Sequence, residues 1–273
     1  MDIKHFFPRS DIIQKHVVCY HFFNAEGKYY DKEILIYPHY LHTVTIFNTY
    51  PCEFSEEPPV TNEPQQKKLL LGVIGRFTRP LLCKCKGRIK ALSIVFKPMG
   101  INFFCDKTFE QIVPNVSNHF PHWTDKADEF EELLYCNDID RLTEKLDDIL
   151  LSFYRPFENK IIFDALSLLH SNYADYNVEQ IEKASNINRK TLLRQFKKHL
   201  GVSITDYRRI LRFRDAIKLH EQKETLTKLA YEANFSDQSH FIKEVKKLAG
   251  ENPKKVFKEA GFVNNTPFFL KIM

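Results

Sequence analysis

The sequence predicts several folding units: a mainly-β barrel, then a helical hairpin, then an all-α region that contains a two-helix unit twice. Three observations support this fold class. Short apolar or alternating runs, separated by Pro, Gly and Asn, fill the first 115 residues. After Pro121 the apolar residues recur at spacings of three and four, and the last third of the chain contains an internal repeat. A length of 273 residues suffices for about two domains with their own cores.

The N-terminal region has the pattern of many short strands. Its apolar or alternating runs lie at residues 17–23, 33–36, 43–48, 69–74 and 91–96. Turn residues separate these runs. Short strands with turns between them favour a barrel or a double-sheet sandwich. We expect a mainly-β barrel over residues 1–120.

A helical hairpin is predicted over residues 121–158. Apolar residues recur every three or four positions from Ala127 to Leu134 and again from Ile139 to Phe153. Residues 125–158 include eleven acidic and four basic side chains, so the exposed faces of the hairpin are acidic. A hairpin in this position either packs on the barrel or forms a dimer surface.

The internal repeat pairs residues 194–201 with residues 243–250, which lie 49 positions later. Upstream the match continues at a spacing of 48, so the second copy has one extra residue in its turn. Each copy predicts a short amphipathic helix, a tight turn and a second helix that ends at a glycine. Asn188 before one second helix, and Ser236 or Asp237 before the other, can accept hydrogen bonds from the free N–H groups of the first turn.

Each second helix separates into an apolar face and a polar face at about 100° per residue. The faces predicted to be buried hold Leu192, Phe196, Leu200, Phe241, Val245 and Ala249. The outward faces hold Lys190, Leu193, Arg194 and Lys197 in the first copy, and Ser239, Ile242, Lys243 and Lys246 in the second. A basic face on one helix usually only meets solvent. Its repetition at the same angle favours two helix-turn-helix units that bind duplex DNA.

The charge distribution agrees with this interpretation. Residues 160–273 carry a balance of +8, whereas residues 1–159 carry −3. Only the second half therefore favours a polyanionic partner. Between the two copies, residues 203–220 predict a helix that begins with a capping box of Ser203 and Asp206 and carries four arginines. Such a helix, about 24 Å long, can separate two recognition helices on the scale of one DNA turn, about 34 Å.

The second copy carries a motif that is specific to one family. Residues 226–258, above all Ala-Asn-Phe-Ser-Asp-Gln-Ser-His-Phe at residues 233–241, closely resemble the signature of bacterial AraC/XylS-type transcription regulators. The motif closes with Gly250, Pro253, Phe257 and Lys258. Residues 188–201 match in the first copy, so the resemblance covers residues 160–262. Three residues depart from the family pattern: Asn234 replaces glycine, Glu182 replaces a small buried alanine, and Lys258 replaces arginine.

The resemblance implies which side chains contact DNA. Residues expected at base edges are Lys190, Leu193 and Arg194 in the first unit, and Gln238, Ser239, Ile242 and Lys243 in the second. Arginine can bind guanine in a bidentate manner, glutamine can bind adenine, and apolar side chains can contact thymine methyl groups. The residues better placed for phosphates are Arg189, Lys197, Lys198, Lys246 and Lys247.

The first half is similar, over short segments, to barrel-like sensor domains of some regulators in this family. The similarity lies at residues 36–38 and 94–102, and it implies a cupin-like barrel. We therefore expect a sensor or effector domain at residues 1–120, a linker or dimerisation hairpin at 121–158, a DNA-binding domain at 160–262 and a tail at 263–273.

Two residue pairs in the first half have spacings compatible with other chemistry. His39 and His42 are three positions apart, and Cys83 and Cys85 would share one face of a strand. The sequence lacks the His-x-His and glutamate pattern of metal-binding cupins, so we expect ordinary packing, no metal site and no cofactor. A redox or alkylation sensor at the cysteine pair stays an alternative, because neighbouring lysines can lower a thiol pKa.

The sequence as a whole predicts a sequence-specific transcription regulator that responds to a small molecule or another signal. Its expected partners are double-stranded DNA and an effector, with RNA polymerase and a second copy of the chain as further candidates. Neither a membrane segment nor a signal peptide is expected, which favours the cytoplasm. No catalytic residue set can be identified, so no enzymatic activity is expected. The alternatives are a cupin-type enzyme and an architectural DNA-binding protein with an inert N-terminal domain.

Overall fold

The computed structural model describes residues 2–25, 30–48, 52–55, 69–75, 77–113, 117–120, 122–172, 176–220, 225–263 and 266–273. The strands in chain order are β1 (Asp2–Phe6), β2 (Val17–Asn24), β3 (Tyr30–Ile36), β4 (His42–Phe47), β5 (Cys52–Ser55), β6 (Leu70–Ile74), β7 (Leu81–Gly87), β8 (Lys90–Phe96), β9 (Ser117–His119), β10 (Gly261–Phe262) and β11 (Phe269–Ile272). The α-helices are α1 (Asp11–Gln14), α2 (Phe109–Ile112), α3 (Ala127–Leu134), α4 (Ile139–Phe153), α5 (Lys160–Asn172), α6 (Val178–Ser185), α7 (Arg189–Leu200), α8 (Ile204–His220), α9 (Leu226–Glu232), α10 (Gln238–Ala249) and α11 (Pro253–Glu259). None of these helices is long and apolar enough to cross a membrane.

The strands form two antiparallel sheets. One has six strands in the order β1-β2-β8-β4-β6-β9, and the other has five in the order β10-β11-β3-β7-β5. Successive side chains along each strand point to opposite faces of the sheet, and both faces of the six-stranded sheet are covered by other elements. One face packs on the helical hairpin of α3 and α4, where Val44 and Ile46 share a core with Phe130 and Leu146. The other face looks toward the five-stranded sheet, and Ala91 there belongs to the same cluster as Cys83 and Cys85.

The prediction of a sheet-rich N-terminal region is confirmed, but the sheets do not close into a barrel. Within the described residues, no strand of one sheet pairs with a strand of the other. Closure requires edge strands that continue the hydrogen-bond ladder around the barrel. Of the four edge strands, β9, β5 and β10 contain only three, four and two residues and β1 contains five, so they offer few groups for such a ladder.

The C-terminal end of the chain returns to the N-terminal sheet. Strand β11 pairs with β3 in antiparallel register, with Leu270 opposite Ile36. The backbone N–H of Met273 also donates to the carbonyl oxygen of Glu33 at 2.8 Å. The residues predicted as a tail therefore connect the helical region to the five-stranded sheet.

We expect Phe269 to anchor this connection. Its side chain is 5% exposed, and the centroid of its ring lies 5.5 Å from that of Tyr37. Phe269→Ala should lower the free energy of unfolding by about 3–5 kcal/mol, because it leaves a cavity between the sheet and the helices. Ile272→Ala on the same strand is the control, since Ile272 is 47% exposed and should cost less than about 0.5 kcal/mol. Urea unfolding measures both. Equal, small losses would show that the strand does not anchor the helices.

Candidate nucleic-acid interface

The first two-helix unit consists of α6 and α7. Asn177 and Gln180 form a capping box at the start of α6. The turn after α6 contains Asn186 at φ 53°, a left-handed conformation that asparagine tolerates better than most residues. Asn188 then caps α7, because its side chain accepts a hydrogen bond from the backbone N–H of Thr191 at 2.9 Å.

The second unit, α9 and α10, repeats this local design. Asn234 lies in its turn at φ 58°, a left-handed conformation. Asparagine tolerates this conformation, so it can replace the glycine that is usual in the family at this position. The side chain of Asp237 accepts a hydrogen bond from the backbone N–H of His240 at 2.8 Å and so caps α10. This hydrogen bond makes the largest contribution to lowering the pKa of the Asp237 carboxyl. Both recognition helices end at a left-handed glycine, Gly201 at φ 75° and Gly250 at φ 73°.

The apolar faces predicted from the sequence are buried in both recognition helices. The buried residues are Leu192, Phe196, Leu200, Phe241, Val245 and Ala249, each no more than 1% exposed. These side chains hold the recognition helices against α8 and against the first helix of each unit. The opposite faces are therefore presented outward.

The structure places the predicted base-contact residues on the outward faces of α7 and α10. The exposed members are Lys190, Arg194, Gln238, Ser239 and Lys243. Leu193 and Ile242 are half-buried, at the border between each outward face and the core. The residues predicted to contact phosphates are also exposed: Arg189, Lys197, Lys198, Lys246 and Lys247.

Two arginines of α8 contact the second two-helix unit. Arg209 forms ion pairs with Asp206 and with Glu244 of α10, both at 3.2 Å. The Arg212 guanidinium lies 5.0 Å from the centroid of the Phe235 ring. The sequence identified an arginine-rich joining helix, but it did not show that these cations bind the second unit to it.

Comparison with protein families identifies this arrangement. The sequence model of a family described as "Helix-turn-helix domain" matches residues 181–259, which run from within α6 to the end of α11 and include α7, α8, α9 and α10. The chain carries an AraC-type helix-turn-helix domain. The resemblance to AraC/XylS-type regulators is thereby confirmed, and with it an assignment to DNA-binding transcription regulation.

Two solved structures of one protein, ToxT, show a similar overall fold. A single-residue variant of ToxT from Vibrio cholerae strain SCE256, in its apo form, has a TM-score of 0.51 and 10% identity, and the match covers 88% of this chain and 96% of that one. ToxT from Vibrio cholerae O395 has a TM-score of 0.50 and 10% identity, with 94% and 97% covered. The C-terminal domain of AraT, a response regulator from Geobacillus stearothermophilus, covers 40% of this chain and 92% of its own at 20% identity and a TM-score of 0.36. A comparison with curated proteins gave no match.

The AraC-type domain contacts the sheet region along a seam beside its first recognition helix. Helix α2 packs against α7, and the ring of Phe109 in α2 stacks on His42 with centroids 3.8 Å apart. His42 Nε2 donates to the carbonyl oxygen of Leu200 at 3.3 Å, and Asn102 Nδ2 donates to that of His199 at 3.4 Å. These contacts join residues far apart in the chain, and no sequence motif indicated them.

The same seam brings an acidic side chain to the first recognition face. Glu110 of α2 lines a surface cleft together with Leu193, Arg194 and Lys197 of α7. Two of these are predicted base contacts and the third is a predicted phosphate contact. The face of α7 that is predicted to contact bases therefore lies next to a carboxylate of the sheet region.

The imidazoles of the seam are held in the neutral form. Burial lowers the pKa of His42 to about 4. Burial and the neighbouring charge of Lys198 lower the pKa of His199 to about 4. Neutral His42 can keep one ring nitrogen protonated for the Leu200 carbonyl.

Acidification is expected to destabilise the seam. The pKa values near 4 in the folded chain lie below the ordinary 6.5, so the unfolded chain takes up more protons as the pH falls. The stability that the two neutral imidazoles contribute is fully present above pH 6.5 and is lost as the pH falls toward 4. The free energy of unfolding falls by up to about 1.4 kcal/mol per pH unit for each imidazole. His42→Gln keeps an N–H donor without this titration, so its urea unfolding should depend less on pH between about 7 and 5. An unchanged pH dependence would contradict the assignment.

Proposed function

We propose that this chain is a sequence-specific transcription regulator that reads two successive segments of duplex DNA with α7 and α10. The observation that carries the proposal is the repeated unit: two capped recognition helices on one joining helix, each with its polar face outward. One chain thus supplies two readers without a partner subunit. An α-helix fits the major groove of B-DNA, and two helices on one face of the duplex reach grooves about one turn apart.

The proposed roles of the reading residues follow from their chemistry. Arg194 can bind a guanine through two hydrogen bonds, and Gln238 can bind an adenine in the same way. The half-buried Leu193 and Ile242 present apolar surface suited to thymine methyl groups. The exposed lysines on the flanks of the two helices would contact phosphates and set the register.

The proposed signal response runs through the contacts between the sheet region and the DNA-binding domain. Helix α2 bounds the first recognition helix, and Glu110 lines the cleft of Arg194 and Lys197. A ligand can shift an equilibrium only by its different affinity for two states. We infer that an effector of the sheet region acts by favouring or releasing the α2–α7 contact. The hairpin of α3 and α4 packs on the sheet with its apolar face, and its exposed acidic face is the proposed surface for a second copy or for RNA polymerase.

Base readout can be tested in both units separately. Arg194→Ala and Lys243→Ala should each cost about 1–3 kcal/mol on the specific site and relax base preference under different halves of it. Lys183→Ala is the matched control, because Lys183 is an exposed cation on α6, paired with Glu179, away from the reading face. Selection from random duplexes followed by affinity measurement gives both results. Unchanged preference in both reading variants would show that these faces are wrongly assigned.

The two-reader arrangement predicts a specific footprint for the full chain. A single chain should protect two segments whose centres lie about 10 bp apart on one face of the duplex. The two reading faces differ in sequence, so the site within this footprint should be asymmetric rather than palindromic. Footprinting at known stoichiometry measures this. Protection of only one segment per chain would show that one of the two units does not contact DNA and only supports the other. Equal affinity for all duplexes would indicate an architectural DNA-binding protein.

A further inference from the structure

An unusual polar row crosses the face of the six-stranded sheet that looks toward the other sheet. His5 lies opposite His21, His21 opposite Ser93, and Ser93 opposite Thr45, so the row spans β1, β2, β8 and β4. Polar groups on such a covered face are costly unless they find partners. Ser93 and Thr45 satisfy each other through hydroxyls 2.9 Å apart, whereas the buried Nδ1 atom of His5 has no hydrogen-bond partner among the residues that the structure describes.

At one end of this row, three metal-binding side chains converge. The ligand atoms of His5, Cys19 and His21 all lie within 4.8 Å of one another. Cys19 Sγ is 3.4 Å from His21 Nε2, and the two imidazole rings are 5.1 Å apart. Cys19 is fully buried, His21 is 7% exposed and His5 is half-buried. The pairing of β1 with β2 produces this cluster, because cross-strand neighbours and residues two apart share one face.

We propose that His5, Cys19 and His21 bind a thiophilic metal ion of the Zn²⁺ type. Two imidazoles and one thiolate are ligands that Zn²⁺ prefers, and three protein ligands leave a fourth position for water or another group. With metal–ligand bonds of about 2.0–2.3 Å, the ligand atoms of a tetrahedral site stand about 3.3–3.7 Å apart. The distance between Cys19 Sγ and His21 Nε2 already lies in this range, and a rotation of the His5 side chain on the edge strand would complete the set.

Binding has a simple proton balance. The buried thiol of Cys19 gives up its proton to solvent when the sulfur coordinates the ion, and both imidazoles bind through an unprotonated nitrogen. The half-exposed His5 provides the side from which an ion can enter. On the other side the ring of Phe268, in the returning C-terminal segment, lies 5.1 Å from the ring of His21.

The residue pairs that the sequence suggested for such chemistry have other contacts. His42 stacks on Phe109 and bonds to the α7 terminus, so it belongs to the seam. Cys83 and Cys85 place their sulfur atoms 3.3 Å apart in the apolar cluster between the sheets. Neither pair contributes to the group formed by His5, Cys19 and His21.

The test uses Co²⁺ as the probe ion with the full chain, freed of metal and kept reduced. A cobalt–thiolate bond gives a charge-transfer band in the near ultraviolet, which should saturate at one ion per chain and disappear when Zn²⁺ is added. Cys19→Ser should abolish the band, and Cys83→Ser should retain it as the matched control. Because the buried Cys19→Ser variant can fail to fold, His5→Ala on the edge strand is the second variant. It should weaken Co²⁺ binding by at least about tenfold with an unchanged circular dichroism spectrum.

The outcomes separate clearly. A saturable band that depends on both Cys19 and His5 supports the site. Absence of the band in the wild-type chain overturns the proposal, as does a band that persists in Cys19→Ser. Unchanged Co²⁺ affinity in His5→Ala also overturns it, because the ion is then bound elsewhere. None of these measurements depends on DNA binding, so they stand apart from the tests of the proposed function.

Discussion

The whole DNA-binding domain depends on the burial of α8, because this one helix supplies core residues to both two-helix units. Tyr207 and Leu211 pack in the cluster that holds α7, whereas Ile210 and Phe213 pack in the cluster that holds α10. A close-packed helix cannot rotate against one neighbour without opening voids on the other side. The orientation of the two recognition helices relative to each other is therefore set by α8, and the short turns only have to connect them.

The same helix also fixes the end of the chain. Arg214 is 2% exposed, and its guanidinium donates a hydrogen bond to the carbonyl oxygen of Pro267. A buried cation is expensive unless it has partners, so this contact favours one path for the returning segment. Burial lowers the pKa of Arg214 only to about 10, so the side chain stays charged at neutral pH. The segment then continues as β11, which joins the five-stranded sheet to the middle of α8.

The sequence predicted the structural features that depend on residues close together in the chain. It did not predict the contacts between residues that are far apart in the chain. The caps at Asn188 and Asp237, the buried faces of α7 and α10, and the left-handed Asn234 each depend on residues within a few positions. The α2–α7 seam, the pairing of β11 with β3 and the approach of His5 to His21 depend on residues from different parts of the chain. The predicted barrel does not close, and the reason is the same: alternation shows which side chains face inward but not whether the edge strands pair with each other.

The two recognition helices are not equivalent in their surroundings. Helix α7 is bounded by α2 of the sheet region, whose Glu110 shares a cleft with Arg194 and Lys197. At α10 the predicted base contact Gln238 instead accepts a hydrogen bond from Thr227 of α9, inside its own unit. Glu110 lowers the local potential that attracts phosphates beside α7, and this carboxylate comes from the sheet region rather than from the helix-turn-helix unit. Under the proposed signal response, a movement of α2 would change the surroundings of α7 and leave those of α10 as they are. The chain would then stay bound to DNA through α10 and change its affinity through α7.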